Sequence, residues 1–199
     1  NQIFDEWLIR DQGAIVRQLG MDPKRYAADL IEAEGGYEAC VRPFTPAIDR
    51  QGGYTGTGND GEPGHRYAAT LNAIMAADFA AIERDYDRAC QLELPGGVTG
   101  HGWSDADEFW LGLRASFPDA TFTIHHQIGR NDDGSAPQAA IRWSLDGTHS
   151  GWGAFGAPTG APVHVMGLSH AEYGPWGLRR EFVIFDETAV WKEILLATG

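Results

Sequence analysis

The sequence predicts a mixed α+β fold in which a curved antiparallel sheet wraps around helices packed on one of its faces. The first observation is an apolar stripe with helical spacing from Tyr67 to Tyr86. The second is a change of period after Pro118, where apolar and polar residues alternate as far as Phe185. The third is a return to helical spacing between Glu187 and Ala197. Helices followed by strands and a closing helix are typical of this class.

In its N-terminal third, the sequence predicts a short strand and helix segment that is followed by a linker. Asp22 and Pro23 supply an N-cap and a first-turn proline, and the helix they begin ends at Gly35. From Arg42 to His65, glycine and proline are too dense for a strand or helix, which predicts a mobile linker. The predicted boundaries are 1–41 for an N-terminal strand and helix segment, 42–66 for the linker and 67–199 for the folded domain.

Two helices and a short strand open the predicted domain. The stripe from Tyr67 to Tyr86 indicates the long helix, and a brief extended piece follows at Gln91 to Leu94. Ser104 and Asp107 then form a pattern similar to a capping box, which predicts a second helix that ends before Pro118.

Four strands and a helix complete the predicted domain. Alternation at Phe122 to Ile128 and again around Ile141 to Leu145, separated by the polar run RNDDGSAP, predicts a hairpin. Two further strands, Val163 to His170 and Leu178 to Phe185, flank the tight connection AEYGPWG. The chain then closes with a helix at Glu187 to Ala197.

Composition excludes several classes of partner. The chain has 199 residues and a formal net charge of -13, which opposes both nucleic acid and an anionic membrane surface, while small neutral or cationic ligands stay open. Cys40 and Cys90 are the only cysteines and have no metal-ligand spacing, so a reduced, cytoplasmic location is expected. No apolar run reaches the ~18 residues of a membrane span, and no signal peptide is visible. The absence of an initial Met indicates processing, truncation or a fragment of a longer frame.

The two ends of the chain are alike. When Asp11 is aligned with Asp186, the segment FDEWLIRDQGAIVRQLG at Phe4 to Gly20 matches REFVIFDETAVWKEIL at Arg180 to Leu195 with four identities. Each copy begins with an apolar run of strand length, continues with an acid, and ends with apolar residues at the spacing of a helix face.

The C-terminal two thirds resemble the SnoaL-like polyketide cyclase family of the NTF2-like superfamily. The resemblance spans about 67–196 and rests on a set of motifs: Phe117-Pro118-Asp119 after a helix, a Trp-rich strand running into Gly147-Thr148-His149, the turn Pro158-Thr159-Gly160, and a last strand that ends in Asp186. One departure is the short strand at Cys90 to Leu94, which has no histidine where relatives often carry one.

The resemblance implies a cone whose curved sheet and long helix enclose an apolar pocket for a small hydrophobic, oxygenated ligand. It also implies cofactor-independent acid/base chemistry without a metal, such as aldol cyclisation or isomerisation, with Asp186 as the general acid/base. Because the family's domain ends in a strand, an acid and a helix, residues 5–20 resemble the tail of a preceding copy of the domain. The alternative is an unrelated amphipathic extension that packs on its own domain.

The candidate catalytic residues are Asp186, His149 and His170, and each has a structural alternative. Asp186 directly precedes a helix, where Asp is a favoured N-cap. His149 at a strand end would donate to a ligand oxygen or satisfy a turn, and His170 would partner an enolate or lie on the sheet surface. The candidate substrate-binding residues are Trp110, His126, Trp143, Trp152 and Phe182.

Three function hypotheses follow, because the same fold hosts different functions. The first is an enzyme that performs acid/base chemistry, with hydrolysis as a minor branch in which Arg142 or Arg180 partners two acids. The second is a binding module that uses the same pocket without chemistry. The third is a dimerisation module. A homodimer is expected through the open sheet face, because Ile141, Trp143, Val165 and Phe182 cannot all face one cavity.

Overall fold

The computed structural model describes residue 3, residues 6–48 and residues 52–199. Phe4 and Asp5 of the predicted repeat and residues 49–51 of the predicted linker lie outside this described part. In chain order its elements are α1 (Gln12–Gln18), α2 (Pro23–Ala33), α3 (Glu62–Met75), α4 (Ala80–Asp85), β1 (Tyr86–Leu94), β2 (Val98–His101), α5 (Gly102–Ser116), β3 (Thr121–Arg130), β4 (Gln138–Thr148), β5 (Pro162–Gly174), β6 (Gly177–Phe185) and α6 (Glu187–Thr198).

One curved, open sheet organises the fold, which confirms the predicted α+β class. Its strand order is β2-β1-β6-β5-β4-β3, and β3 to β6 pair antiparallel, as the alternation predicted. β1 runs parallel to β6, and the short β2, which the sequence did not predict, pairs antiparallel with β1 at the edge. In the described part of the chain, none of the helices is both long and apolar enough to cross a bilayer.

The predicted long helix was wrong in its bounds, since the apolar stripe is shared by two helices and a strand. α3 ends at Met75, and Ala77 then adopts a left-handed φ of 66°. The amide of Asp78 donates to Ala73 O at 2.9 Å and closes the turn. The stripe continued through this break because the helices on both sides pack into one hydrophobic core.

The start of α5 also differs from the prediction. The helix begins at Gly102 rather than at Ser104, and the Asp105 carboxylate accepts a hydrogen bond from the His101 amide at 2.8 Å. An acid in the first turn thus reaches back to the amide of the N-cap residue, but the His101 side chain makes no capping bond in return, so the predicted capping box is not formed.

The two faces of the sheet differ in what covers them. We call the face toward α3 and α5 the inner face and the opposite one the outer face. Ile141, Trp143 and Val165 are buried residues of the inner face, whereas Phe182 lies on the outer face and is 39% exposed. The four residues therefore do not share one cavity.

The N-terminal segment packs against the end of the same chain. Asp11 caps α1 by accepting from the Ala14 amide at 2.8 Å, and it also accepts from the Gly96 amide in the β1–β2 turn. The ion pair Lys192–Glu34, at 2.5 Å, joins α6 to the end of α2. Descent of this segment from a preceding copy of the domain stays a prediction.

The end of the predicted linker is attached to the edge strand β3. Gly58 forms a bridge with Gln127, and the Asn59 side-chain oxygen accepts from the Gly129 amide at 2.8 Å. Gly58 has a φ of +114°, and an added Cβ would lie 1.6 Å from Gln127 O, so only glycine fits there. α3 begins at Glu62, inside the range predicted for the linker.

Candidate functional site

A buried acid stands at the centre of the inner face. Glu181 of β6 is completely buried, and its Oε1 accepts hydrogen bonds from the Tyr67 hydroxyl at 2.7 Å and the Tyr86 hydroxyl at 2.8 Å. Its Oε2 accepts from Trp110 Nε1 at 3.3 Å. We call Glu181, Tyr67, Tyr86 and Trp110 the inner cluster. Its donors come from α3, the start of β1 and α5, so the fold brings together residues far apart in sequence.

Burial gives the inner cluster its acid/base character. Loss of solvent raises the pKa of Glu181 to about 7, although the hydrogen bonds from Tyr67, Tyr86 and Trp110 oppose the increase. Burial and the nearby Glu181 also raise the pKa of both tyrosines well above the ordinary value, so the phenols stay protonated and act as donors. A carboxyl that titrates near neutral pH can both accept and release a proton.

Aromatic rings pack the interior next to the inner cluster. Trp143 donates from Nε1 to Ser169 Oγ at 2.8 Å, and its ring centroid lies 6.5 Å from that of Trp110. Gly167 on the neighbouring strand makes room for the indole, because a Cβ there would lie 2.1 Å from the Trp143 ring. Trp110 and Trp143, both predicted to bind substrate, are therefore fully buried core residues beside Glu181 in this structure.

An open groove lies on the outer face. The outer groove has a volume of about 690 Å³ and is bounded on one side by Trp7 and Asp11 of the N-terminal segment. Its floor is largely apolar, and polar side chains stand at its ends. Residues on the floor include Ala140, Leu168, Phe182 and Ile184, and those at the ends include Glu93, Arg142 and His126.

The outer groove brings together three of the predicted site residues. His126, His170 and Phe182 all line it, and the His170 and Phe182 rings lie 5.7 Å apart on paired strands. His126 reaches this face at a bulge in β3, where its Nε2 is 2.9 Å from the Tyr54 hydroxyl. Burial and the nearby Arg142 lower the pKa of His126, which favours the neutral imidazole.

Asp186 lies apart from both the inner cluster and the outer groove. It caps α6, and its Oδ1 accepts from the Thr188 amide at 2.9 Å, the Thr188 hydroxyl at 2.6 Å and the Ala189 amide at 3.3 Å. Burial raises its pKa. It also lines a smaller groove of about 320 Å³ next to Leu8 and Ile9. The three hydrogen bonds that Asp186 accepts from the described residues are all local to the start of α6.

His149 and Trp152 lie at a third place, beyond the end of β4. The His149 ring is fully buried against Phe117 and Phe155, with Nδ1 3.0 Å from the Thr159 hydroxyl. Burial lowers the pKa of His149, and none of the residues that the structure describes forms a hydrogen bond with its Nε2. Trp152 is 73% exposed. The structure therefore does not bring these two residues to the other predicted site residues.

Two acids and a histidine line part of a further groove of about 580 Å³ near the end of β4. His164 Nδ1 lies 2.6 Å from Asp146, and the His164 amide donates to Glu193 at 2.8 Å. Burial raises the pKa of Glu193 to about 8. Within the described residues, no cluster of three or more histidine, cysteine or acidic side chains is arranged to hold a metal ion.

Sequence reasoning missed Glu181, although a signal was present. In the strand REFVIF, Glu181 has the same parity as Val183 and Phe185, which both face the interior. An acid on the apolar parity of a strand is a buried acid, and a buried acid requires donors around it. The donors Tyr67 and Tyr86 could not be assigned to it from sequence, because only the tertiary fold brings them within reach.

Comparison with known proteins identifies the fold. Residues 65–173 match the SnoaL-like domain family. IdmH, a candidate polyketide cyclase from Streptomyces antibioticus, is similar in structure with a TM-score of 0.55 and 20% identity over 67% of this chain and 98% of its own. A candidate SnoaL-like polyketide cyclase from Jannaschia sp. CCS1 has a TM-score of 0.55 and 13% identity over 68% and 96%.

A third similar structure is AclR, a candidate hydroxylase from Streptomyces galilaeus, with a TM-score of 0.53 and 15% identity over 63% of this chain and 75% of its own. No curated protein matches the chain. At these identities the solved structures show the fold alone, and two different activities are attributed to proteins that have it.

Proposed function

This chain belongs to the SnoaL-like domain family, and on that premise we propose that it is a cyclase-like enzyme in which Glu181 transfers a proton. Its substrate class is a small, hydrophobic molecule with ketone oxygens, and the reaction is an aldol closure or an isomerisation. Independence from cofactors and a cytoplasmic location belong to the same proposal. The homodimer through the open sheet face stays a prediction, and it competes with ligand binding at the outer groove.

The observation that carries the proposal is the state of Glu181. Its carboxyl is buried, has a pKa of about 7 and contacts three hydrogen-bond donors. General-base catalysis is most effective when the pKa of the base lies near the working pH. An acid at this position with no function would lower the stability of the fold, because burial of a carboxylate opposes folding.

The residues of the inner cluster divide the chemistry. The Glu181 carboxylate removes a proton from a carbon next to a carbonyl, and the resulting enolate carbon attacks a second carbonyl carbon of the same molecule. The protonated Glu181 then returns the proton to the new alkoxide, so the enzyme ends in its starting state. The hydroxyl groups of Tyr67 and Tyr86 donate to Glu181 in the free enzyme. When the enolate forms, they can donate hydrogen bonds to its oxygen instead. Access to Glu181 requires movement of the surrounding aromatic rings.

A binding module without chemistry is the second candidate. The observation that favours it is that the inner face is packed with aromatic side chains, whereas the outer groove is open. Under this alternative, the role of Glu181 is structural, because its hydrogen bonds hold α3, β1 and α5 against β6. The catalytic roles predicted for Asp186, His149 and His170 stay predictions, and neither candidate uses them.

Deuterium exchange next to the carbonyl of 1-tetralone, a bicyclic aryl ketone, tests the proposal. We expect the protein to accelerate exchange in D₂O, and Glu181→Gln to reduce the catalysed rate by about 10²- to 10⁴-fold, because the amide cannot accept the proton. Glu93→Gln is the matched control, since it makes the same change at an acid of the outer groove. Exchange that is no faster than in buffer, or that Glu181→Gln leaves unchanged, contradicts the proposal.

A further inference from the structure

The outer groove is built from paired rows of side chains. Across the strands, His170 lies opposite Phe182, and Phe182 lies opposite Glu93. In the next row, Arg142 lies opposite Leu168, and Leu168 opposite Ile184. The rows therefore form a floor that is apolar in the middle, with a cation at the β4 end and an acid at the β1 end.

The N-terminal segment forms a wall across these strands. At one end, the Trp7 ring lies over the Arg142 guanidinium at 4.5 Å and near the His126 ring, with 5.1 Å between centroids. At the other end, Asp11 accepts from the Gly96 amide at 2.8 Å. The segment is thus attached at both ends of the groove, which bounds the space instead of filling it.

Arg142 is a charged group with spare donors. Within the part of the chain that the structure describes, its buried Nε has no hydrogen-bond partner, and its Nη2 has a weak contact with Met166 Sδ at 3.9 Å. No ion pair joins its guanidinium to an acid of the described residues. A planar guanidinium whose face lies on an indole still offers its edge, and a carboxylate is the group that fits this edge through two parallel hydrogen bonds.

From this arrangement we propose that the outer groove binds a small, flat, apolar molecule that carries one carboxylate, with the carboxylate at Arg142. The volume of about 690 Å³ is within the range of small-molecule sites. Trp7, His170 and Phe182 present rings for stacking. Glu93 and Asp11 line the opposite end, so a second anionic group on the ligand is disfavoured there. The site is on the opposite side of the sheet from Glu181 and does not rest on the proposed function.

Titration calorimetry with 2-naphthoate and with 2-naphthamide, its uncharged analogue of the same shape, tests the proposal. We expect naphthoate to bind at least tenfold more tightly than naphthamide. Arg142→Gln should remove that difference, while Arg142→Lys keeps the charge without the two-bond geometry and should retain only part of it. Arg25→Gln is the matched control, because it removes an equal charge from an exposed arginine of α2.

Three results would overturn the proposal. The first is equal affinity for the acid and the amide, and the second is naphthoate binding that both Arg142 variants leave unchanged. The third is a stable dimer in sedimentation that Phe182→Lys converts to monomer, because a second copy would then cover the groove. Glu181→Gln should leave naphthoate affinity unchanged, and this arm separates the outer groove from the proposed catalytic function. Matching unfolding midpoints for all variants show that a loss of affinity is not a loss of fold.

Discussion

The two faces of the sheet hold their charged groups in opposite ways. On the inner face, Glu181 is completely enclosed, and three donors from three different elements satisfy it. On the outer face, Arg142 lies beneath Trp7 and lines an open groove, and its buried Nε has no hydrogen-bond partner among the described residues. The hydrogen bonds of the inner acid are all made within the protein, whereas the outer cation lines a groove large enough for a ligand.

The contrast is sharpest between neighbours on one strand. Glu181 is buried, and the next residue, Phe182, is 39% exposed. A polar group inside and a large apolar group outside are the two exceptions to ordinary burial that carry information about function. Each face therefore has its own candidate role. The inner face is the candidate for proton transfer and the outer face the candidate for ligand binding, and each role can be tested without the other.

The largest effect is expected from removing an inner ring. Trp143→Ala should lower the free energy of unfolding by about 3–5 kcal/mol, because it leaves a cavity in a packed core and deprives the Ser169 hydroxyl of its indole donor. Phe182→Ala on the outer face should cost about 1 kcal/mol or less, since that ring already contacts solvent. Urea denaturation measures both, and comparable losses would show that the faces are equally packed.

The next effect is a pH dependence of stability caused by Glu181. Its pKa rises from 4.5 in the unfolded chain to about 7 in the folded one, so the folded state binds more protons between these values. Stability should therefore fall as the pH rises from about 4.5 to about 7, by on the order of 3 kcal/mol. Denaturation across this range should show the slope in the wild type.

Glu181→Gln is the variant that isolates this slope, because glutamine does not titrate. Glu193, whose pKa is raised to about 8, contributes in the same direction and is kept in the variant. The difference between the two stability profiles should thus change between about pH 4.5 and pH 7 and level off above. A parallel pair of profiles would mean that Glu181 ionises as an ordinary exposed acid does.

The fold was largely predictable because alternation and turn signals are local. The hairpin of β3 and β4, the paired strands β5 and β6, and the terminal helix follow from period and from the polar connections between them. The edge strand β2 was missed because Val98–His101 is too short for a period to appear. The break at Ala77 was missed because its two flanking helices share one apolar stripe.

The candidate sites were less predictable, because they are assembled by contacts between distant segments. Trp7 and Arg142 are brought together by the packing of the N-terminal segment, and nothing local to either residue indicates the pair. Tyr67 and Glu181 are likewise joined only in the folded chain. His126 changes face at a bulge in β3, which a strict alternation cannot reveal.

A smaller effect is expected at the wall of the outer groove. Trp7→Ala removes the ring stacked on Arg142 and should lower stability by about 1 kcal/mol, with several-fold faster tryptic cleavage after Arg10 and Arg17. Trp152→Ala is the matched control, because that ring is 73% exposed, and it should change stability by no more than about 0.5 kcal/mol. Unchanged cleavage in Trp7→Ala would show that other contacts of the segment, such as those of Asp11 and the Arg17–Glu187 ion pair, are sufficient to hold it.

The smallest effect on stability is expected for Asp186→Asn. The same variant tests whether Asp186 or Glu181 is the catalytic base. Asparagine keeps an oxygen that accepts from the Thr188 and Ala189 amides, and it removes a charge that burial opposes. The free energy of unfolding should therefore change by well under ~1 kcal/mol, whereas Asp186→Ala should cost about 1 kcal/mol as the cap is lost. If Glu181 is the base, Asp186→Asn also keeps the deuterium-exchange rate on 1-tetralone. A loss of about 10²-fold or more in Asp186→Asn at unchanged stability would transfer the catalytic role to Asp186 and leave Glu181 as a structural acid.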